Sequence, residues 1–182
     1  LGLQGDHTIA VFGQGPVGLA AVQLASRMGA RVIALDINNE RLTRAQQQGA
    51  DLTINVGSVA SVADAIRDHT RGLGVDVALE ASGAPSARRQ AVQSVRPWGK
   101  VCLVGEGGGI ELDVSSEILR KQVTLMGSWT FSITGQAECA RFITERQVPV
   151  DQLFTDRWQL DQAVQAYKVF DQQSSGKGVF LM

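Results

Sequence analysis

Three glycines in the stretch TIAVFGQGPVGLAAVQLASRMGARVIALD, at Gly13, Gly15 and Gly18, constrain this chain more than any other feature. They stand between an apolar strand-like run and a helical pattern, and each permits backbone geometry that a side chain would obstruct. Gly13 lets the chain turn sharply out of the strand, Gly15 lets a ligand approach the backbone with no Cβ in the way, and Gly18 lets the helix lie close on the sheet. Pro16 takes a first helical position, where its fixed φ suits the helix and its missing amide proton is not needed. The amide of Val17 is then the first donor at the positive end of the helix, a place suited to a phosphate. Such a glycine pattern alone is a weak signal, because ordinary tight turns produce it. Here it follows a strand, opens a helix, and has Asp36 about twenty residues on, at the end of the next apolar run, where a carboxylate can accept both ribose hydroxyls of an adenosine. Together these features predict a dinucleotide site.

Asp36 has a structural alternative as the N-cap of the NERLTRA helix, but Asn38 or Asn39 is better placed for that, which leaves the acid for a ligand. Arg41, five residues beyond, either reaches the ribose edge or the adenine, or stays solvated in the first helical turn. Glu80, closing the run VALE, is expected to face solvent more than the cleft, with Ala81 to Gly83 contributing backbone.

Short β-branched runs alternate with amphipathic ones along the chain. Strands are predicted near 8–13, 31–36, 51–55, 75–81, 99–105 and 122–129, and helices near 16–29, 39–48, 59–70, 85–95 and 135–146. The alternation implies βαβ units, and the runs IAVF, VIAL, VDVAL and VCLV are continuously apolar, as strands covered on both faces should be. The fold class that follows is α/β: a Rossmann fold, doubly wound, with a six-stranded parallel sheet and helices on both faces. The glycine-rich segment GEGGGIELDV, 105–114, lies after the fifth strand and is a candidate binding loop. After Val148-Pro149 the pattern changes to a short strand-like piece, a helix with Leu160, Ala163, Val164, Tyr167 and Phe170 on one face, a polar turn QQSSGKG and a final apolar VFLM. This reads as a helix-strand tail and not as a further βαβ unit. The expected division is 1–149 for the nucleotide-binding domain and 150–182 for a C-terminal segment.

Seventeen basic and 18 acidic residues give a net charge of −1, with no basic footprint for nucleic acid and no polybasic block beside an amphipathic helix for a membrane surface. No apolar stretch approaches the ~20 residues of a membrane span, and the N-terminus lacks a signal peptide's features, so a cytoplasmic location is expected. Cys102 and Cys139 lie in a strand-like and a helical run, and with His7 and His69 they show no metal-ligand spacing. Neither a metal site nor a catalytic acid, base or nucleophile is expected in this chain.

The segments GQGPVGLAAVQLASRMGARVIALDINNERLTRAQQQGAD, GVDVALEASGAP, RPWGKVCLVGEGG and LFTDRWQLDQAVQAYKVF, in that order, together resemble the C-terminal half of a medium-chain, zinc-dependent alcohol dehydrogenase. The G-Q-G-P-V-G form is most similar to the polyol (sorbitol-type) and threonine dehydrogenase branch. The resemblance implies that Gly13, Gly15, Pro16, Val17 and Gly18 hold the pyrophosphate of NAD, that Asp36 holds the ribose, and that Arg41 lies near the adenosine. It implies further that Val104 and Gly105 line the nicotinamide half of the cofactor with backbone, and that Ser128 and Thr130 hold the carboxamide through main-chain groups. NADP is the less expected cofactor. The catalytic zinc, its proton relay and a four-cysteine structural zinc are implied only for an N-terminal portion of the parent enzyme, with a small alcohol or polyol as substrate. A homodimer through the sixth strand is implied too. GEGGG carries more glycine than the family pattern, which puts the loop's conformation without cofactor in question. Two alternatives belong to other classes. One is an NAD-sensing or regulatory module without chemistry, against which the tail argues. The other is an S-adenosylmethionine methyltransferase, against which a parallel reading of 122–129 argues.

Overall fold

The computed structural model describes residues 1–172 and 176–182. In chain order its elements are β1 (Thr8–Phe12), α1 (Pro16–Arg27), β2 (Arg31–Asp36), α2 (Asn39–Gln47), β3 (Leu52–Asn55), α3 (Val62–Asp68), β4 (Val75–Glu80), α4 (Pro85–Ser94) and β5 (Val95–Leu103). There follow β6 (Thr124–Gly127), α5 (Ile133–Glu145), β7 (Phe154–Gln159), α6 (Ala163–Asp171) and β8 (Lys177–Leu181). The main sheet has six strands in the order β3-β2-β1-β4-β5-β6. Every neighbouring pair in it is parallel. This is the doubly wound order, whose direction of winding reverses beside β1 and opens a crevice at the strands' C-terminal ends.

The continuously apolar strands are explained by two cores, one on each face. Ala10, Phe12, Ile33 and Leu35 pack with Val62, Ile66, Ala91 and Val92, so α3 and α4 cover one side. Ile9, Val11, Val32 and Ala34 pack with Leu19, Val22 and Ala45, so α1 and α2 cover the other. Alternate residues of each strand point to opposite faces, and both faces here exclude water. Phe12, Leu19, Ile33, Leu35 and Ile66 are among the largest fully buried side chains. Burial of that kind stabilises by about 1.5–3 kcal/mol per side chain. By contrast α5 buries none of its residues.

Two expectations are corrected by the structure. The fifth strand starts at Val95 and not near 99, because its first part is irregular: register shifts from Val75↔Val95 to Val77↔Lys100. Pro97 lacks a ladder donor, and Trp98 adopts φ 62°, a left-handed value rare for a bulky residue. The strand-like piece, helix and final apolar run of the tail are present as β7, α6 and β8, but against the expectation of no βαβ unit the two strands pair in parallel on either side of α6. The tail is therefore a small βαβ unit with its own two-stranded sheet, separate from the main one. In β7 only alternate residues are partly covered, the pattern of a strand with one wet face, unlike the mostly buried β1, β2 and β4 of the main sheet. That single-faced pattern hid the parallel pairing. Of the polar turn QQSSGKG, residues 173–175 lie outside the described residues.

The tail rests on the α1 side of the main domain. Gln23, almost fully buried, donates from Nε2 to Pro149 O at 2.9 Å, and Gln48 Nε2 donates to Gln152 O at 3.2 Å. Leu153 packs against the core beneath α1. Among the described residues no helix is long and apolar enough to cross a membrane.

Candidate functional site

The site lies where β1, β2, β4 and β5 end, and the backbone there is tied strand to strand. Gly13 N donates to Leu35 O at 2.8 Å, Ala81 N to Phe12 O at 2.8 Å, and Ser128 N to Leu103 O at 3.0 Å. A cleft of about 360 Å³ opens along this edge, walled by Gly13, Gly15, Pro16, Asp36, Arg41 and Ala81 among others. Val104, Gly105 and Ser128 line a second hollow with Gly127 and Trp129. Val17, Gly18 and Thr130 line neither. Val17 is exposed in the first turn of α1. Thr130 follows β6 with a left-handed φ of 57°.

The three glycines differ in what surrounds them. A Cβ on Gly18 would lie 1.8 Å from Gly13 O, so the helix can sit this close only with glycine there. A Cβ on Gly15 would meet nothing within 4 Å, because that position faces open space in front of the helix. Gly15 is the N-cap of α1 and has no side chain to satisfy the first-turn amides. The open cradle and the unfilled helix end suit a phosphate group.

Asp36 is 7% exposed and already engaged, which corrects the expectation of an uncommitted acid. Its Oδ2 accepts from Gln14 N at 2.6 Å and its Oδ1 accepts from Asn38 N at 2.9 Å. A carboxylate has about four acceptor positions, so these two bonds orient the group and leave capacity for ribose hydroxyls. The capping assignment holds, since Asn38 Oδ1 accepts from Glu40 N and Arg41 N. Arg41 reaches back from its helix to place Nη1 4.0 Å from Asp36 Oδ2.

Glu80 is the clear correction. It does not face solvent but is wholly buried. Its Oε1 accepts from Ser82 N at 2.7 Å and Gly83 N at 2.9 Å, and its Oε2 lies 3.7 Å from Arg88 Nε. A carboxylate closing an apolar strand signals a position that turns either to water or to donors in the next loop, and the fold decides which. Arg88 carries no such signal, being one of two arginines in the first turns of an amphipathic helix. Phe170 and Gly176, from the tail, also border the cleft, and nothing in their local sequence marks them.

Zinc does not fit the residues present. Among the described residues no three His, Cys, Asp or Glu side chains gather as a metal site. Burial pushes the Cys102 thiol above its ordinary range, which suits packing and not metal binding or nucleophilic attack.

Residues 16–145 match the family described as zinc-binding dehydrogenase. The chain is 34% identical over 189 residues to L-threonine 3-dehydrogenase of Symbiobacterium thermophilum, covering 98% of this chain and 53% of the relative. It is 33% identical over 166 residues to sorbitol dehydrogenase of Bacillus subtilis, covering 90% of this chain and 46% of that one. The crystal structure of an alcohol dehydrogenase zinc-binding domain protein from Burkholderia ambifaria superposes with a TM-score of 0.90 at 31% identity, covering 100% of this chain and 50% of that one. The chain thus spans about half the length of the proteins it matches. Fold and sequence agree: this chain belongs to the zinc-binding dehydrogenase family, as the C-terminal, Rossmann-type half of its alcohol dehydrogenase-like members.

Proposed function

We propose that this chain is the cofactor-holding half of an oxidoreductase that acts on an alcohol or polyol, with residues 1–149 binding NAD and 150–182 completing a second domain. The observation that carries the reading is the open cradle at Gly15 beside the oriented carboxylate of Asp36. When bound, the nicotinamide cofactor would supply the hydride chemistry, and a zinc held elsewhere in the parent enzyme would polarise the alcohol oxygen. The residues of this chain bind and orient. The first-turn amides of α1, with Val17 foremost, would take the pyrophosphate, and Asp36 would accept from the ribose hydroxyls. The backbone of Ala81, Val104 and Gly105 would line the rest of the cofactor, and main-chain groups of Ser128 and Thr130 would hold the carboxamide.

Asp36 also supports NAD over NADP. A 2′-phosphate brought about 4–5 Å from its carboxylate meets a raw repulsion of roughly 3–4 kcal/mol at an effective dielectric near 20. Solvent and the Arg41 guanidinium reduce this to about 1–3 kcal/mol, a preference on the order of 10- to 100-fold. Titration of the chain with both cofactors should show that preference, and Asp36→Ala should lose most of it. Equal affinities in the unaltered chain would reject Asp36 as the ribose ligand.

A homodimer through β6 belongs to the same proposal. That strand is one edge of the sheet, and Leu125 in it is exposed, as are Trp129, Phe131 and Ile133 just beyond. An apolar edge invites pairing with a second copy. Sedimentation should find dimers that Leu125→Pro dissociates, whereas a monomer at high concentration would count against the interface.

A further inference from the structure

We propose that Arg88, anchored by Glu80, positions the backbone of Val104 and Gly105 for the nicotinamide half of the cofactor; this rests on the dinucleotide reading of the cleft. Arg88 projects from α4 and is 8% exposed, at the wall of the hollow that Val104, Gly105 and Ser128 also line. Its Nη2 donates to Gly105 O at 2.7 Å and its Nη1 donates to Gly108 O. Its Nε faces the buried Glu80, whose other oxygen holds the amides of Ser82 and Gly83. One guanidinium therefore joins the loop after β4 to the loop after β5.

The two loops meet backbone to backbone. A Cβ on Gly105 would lie 2.2 Å from Gly83 N, and one on Gly83 would lie 2.0 Å from Glu106 O. This contact accounts for Gly105 in GEGGG, whereas a Cβ on Gly109 would meet nothing within 4 Å, and the glycine-rich segment creates a difficulty. A glycine-rich segment loses more conformational entropy on ordering than any other, and it has few side chains to hold it. Arg88 supplies the hold from outside, through charge-assisted bonds to carbonyls. Val104 N and Gly105 N both donate to Glu80 O, at 2.8 and 3.0 Å, and Gly105 O accepts from Arg88. Most of the main-chain polar groups of these two residues are thus set before a ligand arrives. A planar fork is needed to reach two carbonyls while facing a carboxylate, which a lysine cannot do.

Calorimetric titration of the chain with NADH and with ADP-ribose, which lacks the nicotinamide ring, tests the assignment. Arg88→Met should weaken NADH about tenfold while changing ADP-ribose less than about twofold. Arg88→Lys, which keeps the charge beside Glu80 and so keeps the fold should the methionine variant fail to form it, should weaken NADH alone by about threefold. A selective loss supports a positioning role, because a general loosening of the fold would weaken both ligands together. Equal losses for both ligands, or an unchanged affinity for NADH, would overturn the proposal. If the unaltered chain bound ADP-ribose but the variants showed no selectivity, only the role of Arg88 would fall. If it bound neither ligand, the dinucleotide reading would fall and this proposal with it.

Discussion

Gly18→Ala is expected to destabilise the chain by about 3 kcal/mol, at the upper end for overpacking a core. The added methyl would lie 1.8 Å from the carbonyl oxygen of Gly13, and the next atom in its way is the Gly13 carbonyl carbon at 2.9 Å. Both are backbone atoms, so no side chain can swing aside, and relief requires lifting α1 from β1. That would open the packing of Leu19 and Val22 against the strands, where both are buried. Gly15→Ala is the contrast. Nothing lies within 4 Å of its new methyl, and the φ of −74° suits alanine. Its stability cost should stay under about 1 kcal/mol, the size of a weakened N-cap, while the methyl fills the phosphate cradle and weakens cofactor binding. Urea unfolding of both variants measures the first effect and cofactor titration the second. If the two variants were equally stable, the close approach at Gly18 would be refuted.

Glu80→Ala is expected to cost about 3–5 kcal/mol, the usual result of removing one partner of a buried ion pair. The variant leaves Arg88 facing a void, and it strips the amides of Ser82 and Gly83 of the buried acceptor that holds them. Glu80→Gln keeps an acceptor oxygen for those amides and loses only the charge, so it should cost distinctly less. Equilibrium unfolding decides between them. A loss below about 1 kcal/mol for the alanine variant would mean that the pair is replaceable by solvent, as exposed pairs are.

The main fold was legible in the sequence because its determinants are local. The runs IAVF, VIAL, VDVAL and VCLV lack polar alternation, and two-sided burial is the only setting that rewards this; the cores on both faces bear it out. The parallel pairing of β6 with β5 removes the methyltransferase alternative, whose sheet ends in an antiparallel strand. Less was legible in the tail, where β7 carries the alternation of a half-exposed strand and only its pairing with β8 reveals a βαβ unit. Glu80 was misread because a strand-ending acid looks the same in sequence whether it turns to water or to the amides of the next loop.

The sequence by itself determined the turn at Gly13, the helix start at Pro16 and the cap at Asn38. Each depends on backbone conformation or hydrogen bonding within a few residues, and residue type alone settles such matters. Only the tertiary structure decided that Arg88 bridges to Gly105 and Gly108, that Arg41 lies beside Asp36, and that Phe170 from the tail borders the cleft. Contacts of this kind arise where packing brings separate loops and helices together, and a long polar side chain then takes whichever partners burial leaves within its reach.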